Sequence, residues 1–321
     1  MIDVDTKKLM IPRELHGERI DVVLARMLPD YSRSQLSQWL KQGKITVDSR
    51  TLKPKDKVNH GSLIQLNLDQ LTENKTGIAE AEDIPLDIVY EDDYLLVINK
   101  PAGLVVHPGA GNWEHTLVNA LLHHLPQLSA LPRAGLIHRL DKDTTGLLVI
   151  AKTLTVHTQL TRQMQEREIH RHYLTLVQGH LISGGEIATC FGRHPSNRLK
   201  MAVCAQGREA VTHYSIKKQY QYFTLLEVQL LTGRTHQIRV HMAHIKHPVF
   251  GDQLYGGRTR VPAEADESLI KLLQQFKRQA LHAYTLSFEH PHSDEMVSFS
   301  APLPEDFATL LSALDQYKEN K

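Results

Sequence analysis

The sequence predicts an α+β protein in which a mixed, mostly antiparallel sheet follows a small N-terminal domain of helices and short strands. From Ile84 onward, apolar runs of strand length recur with few helical stretches between them. Before that point, two helical stripes of apolar residues precede two short segments of alternating polarity. A chain of 321 residues is long enough to hold both parts as separate domains.

Residues 15–68 form the predicted N-terminal domain, which follows a leader over 1–14. Apolar side chains recur at helical spacing from Ile20 to Leu28. A capping box formed by Ser32 and Gln35 predicts the start of a second helix. Two strands of alternating polarity complete the domain, Lys44 to Val47 and Leu63 to Leu68.

The rest of the chain is predicted to be a flexible linker and a large domain. Residues 69–83 carry five acidic residues against one lysine and show no apolar periodicity, which indicates a flexible tether. The large domain spans 84–321, and its continuous apolar run at 147–151 suits a strand buried on both faces. Further strands are expected at 88–90, 95–99, 173–177 and 225–231, and helices at 116–124 and 155–167.

The formal net charge of +1 gives no global signal for a polyanionic partner, but the charge is unevenly distributed. Residues 16–66 carry nine Lys or Arg against five acids, a balance of +4, so the rest of the chain carries −3. Three of these cations lie at the ends of the second predicted helix and could line one edge of the domain: Arg33, Lys41 and Lys44. The alternative is an ordinary solvated surface.

Composition disfavours several classes of protein. No apolar run reaches membrane-spanning length, and the first residues lack the apolar core of a signal peptide, so a cytoplasmic protein is expected. Cys190 and Cys204 are too few for a disulfide framework. A histidine-metal hydrolase is an alternative, but His241, His244 and His247 drift around a predicted helix without a cysteine or acidic partner, so no metal is expected.

The segment HRLDKDTTGLLVIA at 138–151 places one carboxylate, Asp141, between a basic pair and the continuous apolar strand. Arg139 and Lys142 flank Asp141, and their positive charge favours its ionised form. An ionised carboxylate in a basic cleft can act as a nucleophile or a base. The alternative is that Asp141 only closes a turn ahead of the strand.

Five segments in order carry a resemblance to a known enzyme family: NKPAGLVVHPG at 99–109, RLD at 139–141, RHYLTLVQG at 171–179, LLTGRTHQIRVHMAHIKHPVFGD at 230–252 and QALHA at 279–283. Together they resemble the RluA family of pseudouridine synthases, which convert uridine in structured RNA to its C-glycoside isomer. The segment SRSQLSQWLKQGKITVD at 32–48 is similar to the S4 domain, a small RNA-binding module.

The resemblance implies a curved central sheet with a catalytic cleft across it, and a role for four residues. The target base must leave the RNA stack, because its reacting atoms are hidden there. By resemblance, Asp141 is the carboxylate near C1′ and C6 of the uridine, and Tyr173 stacks on the flipped base. Arg234 pairs with Asp141, and Arg139 contacts the emptied position in the RNA helix.

The resemblance also implies the substrate. The long motifs and the S4 module are most similar to the branch that modifies large-subunit ribosomal RNA, and they imply uridines in the loop of helix sixty-nine. Arg33, Lys41 and Lys44 are then RNA-binding residues of a monomer that needs no cofactor, DNA or membrane. Other ribosomal or transfer RNA uridines and a non-catalytic S4 RNA-binding protein remain alternatives. Asp141 could add to uracil C6, attack C1′, or remove a C2′ proton.

Overall fold

The chain folds into two units, Met1–Ile78 and Ala79–Lys321. The computed structural model describes residues 6–28, 33–67, 79–109, 112–197, 199–257, 261 and 265–319. Within those residues, no helix is both long enough and apolar enough to cross a membrane.

The N-terminal unit is a three-stranded antiparallel sheet with two helices. Its elements are β1 (Thr6–Met10), α1 (Ile20–Met27), α2 (Arg33–Lys41), β2 (Ile45–Val47) and β3 (Leu63–Asn67), with the strand order β1-β3-β2. Both predicted helices and both predicted strands are present. The predicted cap at Ser32 lies outside the described residues.

The prediction of a leader over 1–14 is wrong for its described part. All five residues of β1 pair with β3, and Ile11, which follows β1, is fully buried. Without β1, the second edge of β3 would present a row of unpaired backbone groups. Residues 1–5 lie outside the described residues.

The larger unit is built on a ten-stranded sheet. Its strands are β4 (Ile88–Glu91), β5 (Leu95–Lys100), β6 (Thr145–Ala151), β7 (His170–Gln178), β8 (Gly185–Arg193), β9 (Met201–Val203), β10 (Arg208–Gln219), β11 (Phe223–Leu230), β12 (Leu281–Glu289) and β13 (Met296–Ser300). The order is β4-β5-β6-β12-β7-β11-β10-β8-β9, and β13 pairs with β12. Among these strands only β6 and β12 pair in parallel, which confirms the predicted mixed, mostly antiparallel α+β domain.

Five α-helices accompany this sheet within the described residues: α3 (Leu117–His124), α4 (Leu154–Glu166), α5 (Gln237–His244), α6 (Glu267–Gln275) and α7 (Glu305–Glu319). The helices predicted at 116–124 and 155–167 correspond to α3 and α4. A capping box between Thr116 and Asn119 fixes the start of α3.

β6 is buried over its whole length and contributes to two apolar cores. Leu148 and Ile150 belong to the core that includes α3, whereas Leu147 and Val149 belong to the core that includes α4. Because side chains alternate across a strand, a strand covered on both faces is apolar at nearly every position. This explains the continuous apolar run in the sequence, and it gives the loop before β6 a rigid support.

The flexible linker predicted over 69–83 is wrong at its C-terminal end. The Glu80 carbonyl oxygen accepts a hydrogen bond from Nδ2 of Asn119 at 2.7 Å. The Glu82 amide donates to the Asn119 carbonyl oxygen at 3.1 Å. The last five residues of the predicted linker therefore belong to the larger unit, and the part before Ala79 lies outside the described residues.

The contact between β6 and β12 depends on Gly146. Its φ is +114°, and a Cβ at this position would lie 2.2 Å from the Ala283 carbonyl oxygen. We expect Gly146→Ala to lower the free energy of unfolding of the larger unit by about 3 kcal/mol or more, because a backbone clash adds to the strain of the positive φ. Urea denaturation of the purified protein measures this loss.

Gly103→Ala is the matched control, because Gly103 has a φ of +83° but no heavy atom lies within 4 Å of the position of a Cβ. This variant should lose only the strain of a left-handed residue, about 1–2 kcal/mol. Equal losses in the two variants would contradict the proposed importance of the β6–β12 approach.

Candidate active site

Asp141 lies in the loop that leads into β6. The chain enters this loop from a short 3-10 helix, Pro132–Gly135, and Leu136 then forms a backbone bridge to β6. Leu140 is buried beside Asp141, and the Asp141 carbonyl oxygen accepts the Thr144 amide at 3.1 Å. The backbone on both sides of Asp141 is therefore anchored to the core of the larger unit.

Lys100, at the end of β5, is buried and forms a hydrogen bond with the backbone of the same loop. Its side chain is fully buried, and Nζ donates to the carbonyl oxygens of Pro101, Leu104 and Lys142 at 2.7, 3.0 and 2.8 Å. Burial lowers the pKa of Lys100 to about 7, although the carboxylates of Asp143 and Asp141 oppose this shift. These bonds join the NKPAG segment to the loop that carries Asp141.

The carboxylate of Asp141 pairs with Arg239 on α5. Nη1 of Arg239 donates to Oδ2 of Asp141 at 2.9 Å, and the Asp141 side chain is 15% exposed. The prediction that Arg234 forms this pair is wrong, since Nε of Arg234 donates to the Glu209 carbonyl oxygen at 3.2 Å. Arg234 lies in the loop ahead of α5, where its amide bonds the side chain of Gln237, whereas Arg239 is buried on the first turn of the helix.

Asp252 holds the other edge of the Arg239 guanidinium. Nε and Nη2 of Arg239 donate to the two carboxylate oxygens of Asp252 at 2.7 and 2.9 Å, and the Asp252 side chain is fully buried. Oδ1 of Asp252 also accepts the amides of Leu254 and Tyr255 at 2.8 and 3.0 Å. Burial alone would raise the pKa of Asp252, but the bonds from Arg239 and the amides lower it.

The carboxylates of Asp252 and Asp141 keep the guanidinium of Arg239 protonated. Burial alone would lower the pKa of Arg239, but Asp252 and Asp141 outweigh burial and raise it. A guanidinium that binds one carboxylate through two donors has little freedom to rotate. Asp252 therefore fixes the direction from which Arg239 contacts Asp141.

His236 approaches the second oxygen of Asp141. Nε2 of His236 lies 3.8 Å from Oδ1 of Asp141, and its Nδ1 lies 2.9 Å from the Tyr255 hydroxyl oxygen. His236 is the N-cap of α5 and has a left-handed φ of +60°, which is a strained conformation for a residue other than glycine. Burial lowers the pKa of His236, against the effect of the Asp141 carboxylate. A neutral imidazole therefore lies beside the carboxylate near neutral pH.

Tyr173 lies on β7 and is 4% exposed. It pairs with Val228 of β11 and Ala283 of β12. Burial raises the pKa of Tyr173, the Asp141 carboxylate raises it further, and the Arg171 guanidinium lowers it. Asp141 and Arg171 are therefore the charged groups that influence this phenol.

Arg139 is exposed at the rim of this site and forms no ion pair with the described residues. Burial lowers the pKa of nearby His107 to about 4, and the charges of Arg133 and Arg139 contribute to that shift. Arg133 and Arg139 thus add positive charge around a neutral imidazole. A positive rim of this kind suits a polyanionic substrate.

The three cations predicted to bind RNA in the N-terminal unit differ in environment. Lys41 is exposed at the end of α2. Nη2 of Arg33 pairs with Asp21 at 2.7 Å, and Asp21 also pairs with Arg19 at 3.1 Å. Lys44 is only 8% exposed, which leaves little of its side chain for the predicted contact with RNA. Lys44 directly precedes β2, whose core-facing side chains bring it close to the interior.

The described residues contain no group of three His, Cys, Asp or Glu side chains arranged to hold a metal ion. His241 bonds the hydroxyl groups of Thr189 and Thr212 at 3.0 and 2.8 Å. His247 bonds the Gln178 carbonyl oxygen at 2.9 Å. These two imidazoles therefore serve as hydrogen-bonding groups of the fold.

The sequence pattern did not identify Arg239, Asp252 or His236 as site residues, although all three lie in the 230–252 segment. The distinguishing feature is tertiary: Arg239 is a charged residue in a stretch of α5, Gln237–Met242, that lies entirely in the interior. A buried arginine requires a partner, and Asp252 is the acidic residue that ends the same segment. The burial of Arg239 and its pairing with Asp252 distinguish it from Arg234.

The assembled site can perform nucleophilic or acid–base chemistry. Oδ2 of Asp141 is bound by Arg239, while Oδ1 forms no hydrogen bond with the described residues and lies 3.8 Å from Nε2 of His236. A carboxylate oriented in this way can attack a carbon atom or accept a proton. The phenol of Tyr173 is a second group able to transfer a proton.

Comparison with known proteins identifies both units. The family profile described as RNA pseudouridylate synthase matches residues 94–244, and the S4 domain profile matches residues 18–64. A protein named ribosomal large subunit pseudouridine synthase D from Xanthomonas campestris is 51% identical over 313 residues, which cover 98% of this chain and 94% of that protein. The protein of the same name from Pseudomonas aeruginosa is 49% identical over 319 residues, which cover 99% of both.

Two solved human structures share the fold. Human RNA Pseudouridylate Synthase Domain Containing 4 is 26% identical with a TM-score of 0.56, covering 71% of this chain and 92% of that chain. Human RNA Pseudouridylate Synthase Domain Containing 1 is 25% identical with a TM-score of 0.54, covering 75% of this chain and 96% of that chain. The chain therefore belongs to the RluA-type family of RNA pseudouridine synthases, which are isomerases, and it carries an S4 domain.

Proposed function

We propose that the protein converts uridines to pseudouridines in the loop of helix sixty-nine of large-subunit ribosomal RNA, with Asp141 as the essential carboxylate. The observation that carries this proposal is the pairing of Asp141, partly exposed, with an arginine that a second, fully buried carboxylate holds in place. Relatives at 51% and 49% identity are named for action on the large ribosomal subunit, which supports ribosomal RNA as the substrate.

The chemistry requires a carboxylate of fixed orientation. The reaction breaks the bond between N1 and C1′, turns the uracil, and rejoins it through C5. Whether Asp141 adds to C6, attacks C1′ or removes the C2′ proton, one of its oxygens must reach a single atom of the nucleotide. Arg239 binds Oδ2 and leaves Oδ1 for that atom. Because the reacting oxygen is oriented before the uridine binds, less entropy is lost on reaching the transition state.

The uridine must be flipped out of the RNA before Asp141 can reach it. Arg139 is exposed and unpaired within the described residues, so it is suited to occupy the position that the base leaves. The flipped base then lies against Tyr173. Because Tyr173 is 4% exposed, the base reaches only a small part of its ring, which favours a role for the hydroxyl group beside Asp141 in addition to stacking.

The S4 unit contributes contacts to RNA phosphates. Arg19 and Arg33 share the single carboxylate of Asp21, which leaves a net positive charge at this position. Both arginine side chains are about half exposed, and Lys41 is exposed at the C-terminal end of α2. Exposed cations of this kind bind phosphates with an affinity that falls as the salt concentration rises.

Asp141→Asn should abolish isomerisation while RNA binding persists. The amide keeps the shape of the side chain but lacks the negative charge needed for attack or proton removal. We expect the single-turnover rate on a helix sixty-nine transcript to fall at least about a thousandfold. In cells that lack the protein, wild type should restore pseudouridines in that loop, and Asp141→Asn should not.

Mapping of pseudouridines across the ribosomal and transfer RNA of the same cells tests the helix sixty-nine target separately from the role of Asp141. Loss of pseudouridine only at other sites would contradict the helix sixty-nine assignment. A rate for Asp141→Asn within about tenfold of wild type would contradict the role of the carboxylate.

Asp252→Asn should lower both stability and activity, because it leaves the buried Arg239 with one carboxylate in place of two. Removing one partner of a buried pair costs about 3–5 kcal/mol. We expect the melting temperature of the larger unit to fall, and the single-turnover rate to fall at least about tenfold at a temperature where the variant is still folded.

Asp306→Asn is the matched control. Asp306 binds Arg278 through two donors at 2.7 Å, but its own side chain is 48% exposed, so water can take its place and its removal should cost less stability than removal of the fully buried Asp252. Full activity of folded Asp252→Asn would show that the orientation of Asp141 does not depend on this clamp.

Deletion of residues 1–78 should leave an active larger unit that binds its RNA more weakly. The deletion stops before Ala79 because residues 79–83 are bonded to the larger unit. Each lost phosphate contact should reduce the slope of log affinity against log salt concentration by about 0.7–0.9. Unchanged affinity and slope would exclude a role of the S4 unit in binding this RNA.

A further inference from the structure

Arg171 is a buried cation without an acidic partner in the described part of the chain. It lies on β7, two residues before Tyr173, so both side chains lie on the same face of the strand. Arg171 is 6% exposed. Its Nη2 donates to the Leu230 carbonyl oxygen at a long 3.4 Å, and its Nε is inaccessible to solvent and has no hydrogen-bond partner.

This environment differs from that of the arginines with a structural role. Arg239 binds Asp252 through two donors, and Arg278 binds Asp306 in the same way. Burying a charge without such a partner destabilises the folded state by several kcal/mol in general. An unpaired guanidinium in the interior is therefore expected to serve another purpose.

The fold makes room for this guanidinium at Gly233. A Cβ at position 233 would lie 2.8 Å from Nη1 of Arg171, so a larger residue there would displace the side chain. Gly233 lies in the same segment, 230–252, that supplies Arg239. The position of Arg171 is thus built from two motifs of the active site.

The charge of Arg171 acts on Tyr173. Two charged groups influence the phenol within the described residues: Arg171 on its own strand and Asp141 in the loop before β6. Its register partners on the flanking strands, Val228 and Ala283, are apolar. Burial and Asp141 raise the pKa of Tyr173, and Arg171 is the group that lowers it.

We propose that Arg171 is a positioning residue whose buried charge stabilises the phenolate form of Tyr173, so that Tyr173 can accept a proton from the target base. The inference rests on the proposed pseudouridine synthesis. Because Arg171 is buried and its Nε is closed to solvent, it acts through Tyr173 and not by touching the RNA.

The proton transfer balances. The phenol first releases its proton to solvent, and once C5 of the uracil is bonded to C1′, the phenolate oxygen takes the proton from C5. The electron pair of the C5–H bond forms the C5–C6 double bond, and N1 takes up a proton from solvent. The phenol is regenerated, and no oxidant or cofactor is needed.

The test compares Arg171→Met and Arg171→Lys in the full-length protein. Methionine removes the charge but keeps an apolar chain, so the melting temperature should be unchanged or higher, while the single-turnover rate should fall at least about thirtyfold. Lysine keeps the charge and should retain most of the activity. Arg162→Met, which replaces an arginine that is 69% exposed on α4, is the matched control and should behave like wild type.

A second measurement does not require turnover. With difluorotyrosine placed at position 173, the more acidic phenol titrates while the protein is folded, and fluorine NMR reports its midpoint. Arg171→Met should raise this midpoint by at least about one pH unit, and Arg171→Lys should raise it less. An unchanged midpoint, or a lower melting temperature that accounts for the lost activity of Arg171→Met, would overturn the inference. If Arg171→Met raised the midpoint but the wild-type protein formed no pseudouridine in the RNA, the proposed function would be contradicted and the effect of Arg171 on Tyr173 would stand.

Discussion

The buried guanidinium of Arg239 is the interaction on which the site depends. It joins Asp141 to Asp252, two carboxylates that are 98 and 13 residues away from it in the sequence. Burying a charge destabilises the fold unless its hydrogen-bonding groups are satisfied, and the carboxylate of Asp252 is satisfied by the guanidinium and two backbone amides. The orientation of Asp141 is therefore determined by three segments at once: the loop before β6, the first turn of α5, and the turn that begins at Asp252.

The strands provide the stiffness that this pairing needs. β6 is apolar on both faces and cannot shift without opening two cores, so the loop that it supports has a fixed origin. Lys100 adds a second constraint, because its ammonium group bonds the Lys142 carbonyl oxygen next to Asp141. Three carbonyl acceptors offset the free-energy cost of burying Lys100, so this lysine fixes the loop that carries Asp141. This explains why a basic residue ends a mostly apolar strand.

The parts of the fold that could be predicted from the sequence were those with a strong local pattern. The apolar run of β6 and the periodic apolar stripes of α1 and α2 specify their own structure. β1 could not be predicted, since the segment TKKLM has only two apolar residues and becomes a strand through its pairing with β3. The motif could likewise place an arginine near Asp141, but the choice between Arg234 and Arg239 depends on where α5 begins and on Asp252, which is tertiary information.

Three arginines of the site show how environment divides one residue type among different tasks. Arg239 is paired with two carboxylates, so the group of Asp141, Arg239 and Asp252 carries a net charge of −1. Arg239 therefore orients Asp141 but does not attract negatively charged groups of the substrate. Such a group alone would repel RNA phosphates and disfavour any anion formed during the reaction. Arg171 is buried and has no acidic partner within the described residues, so its positive charge offsets this negative charge. The low dielectric of the interior strengthens the electrostatic effect of Arg171. Arg139 is exposed, so its charge is screened by water and is best used in direct contact with the substrate.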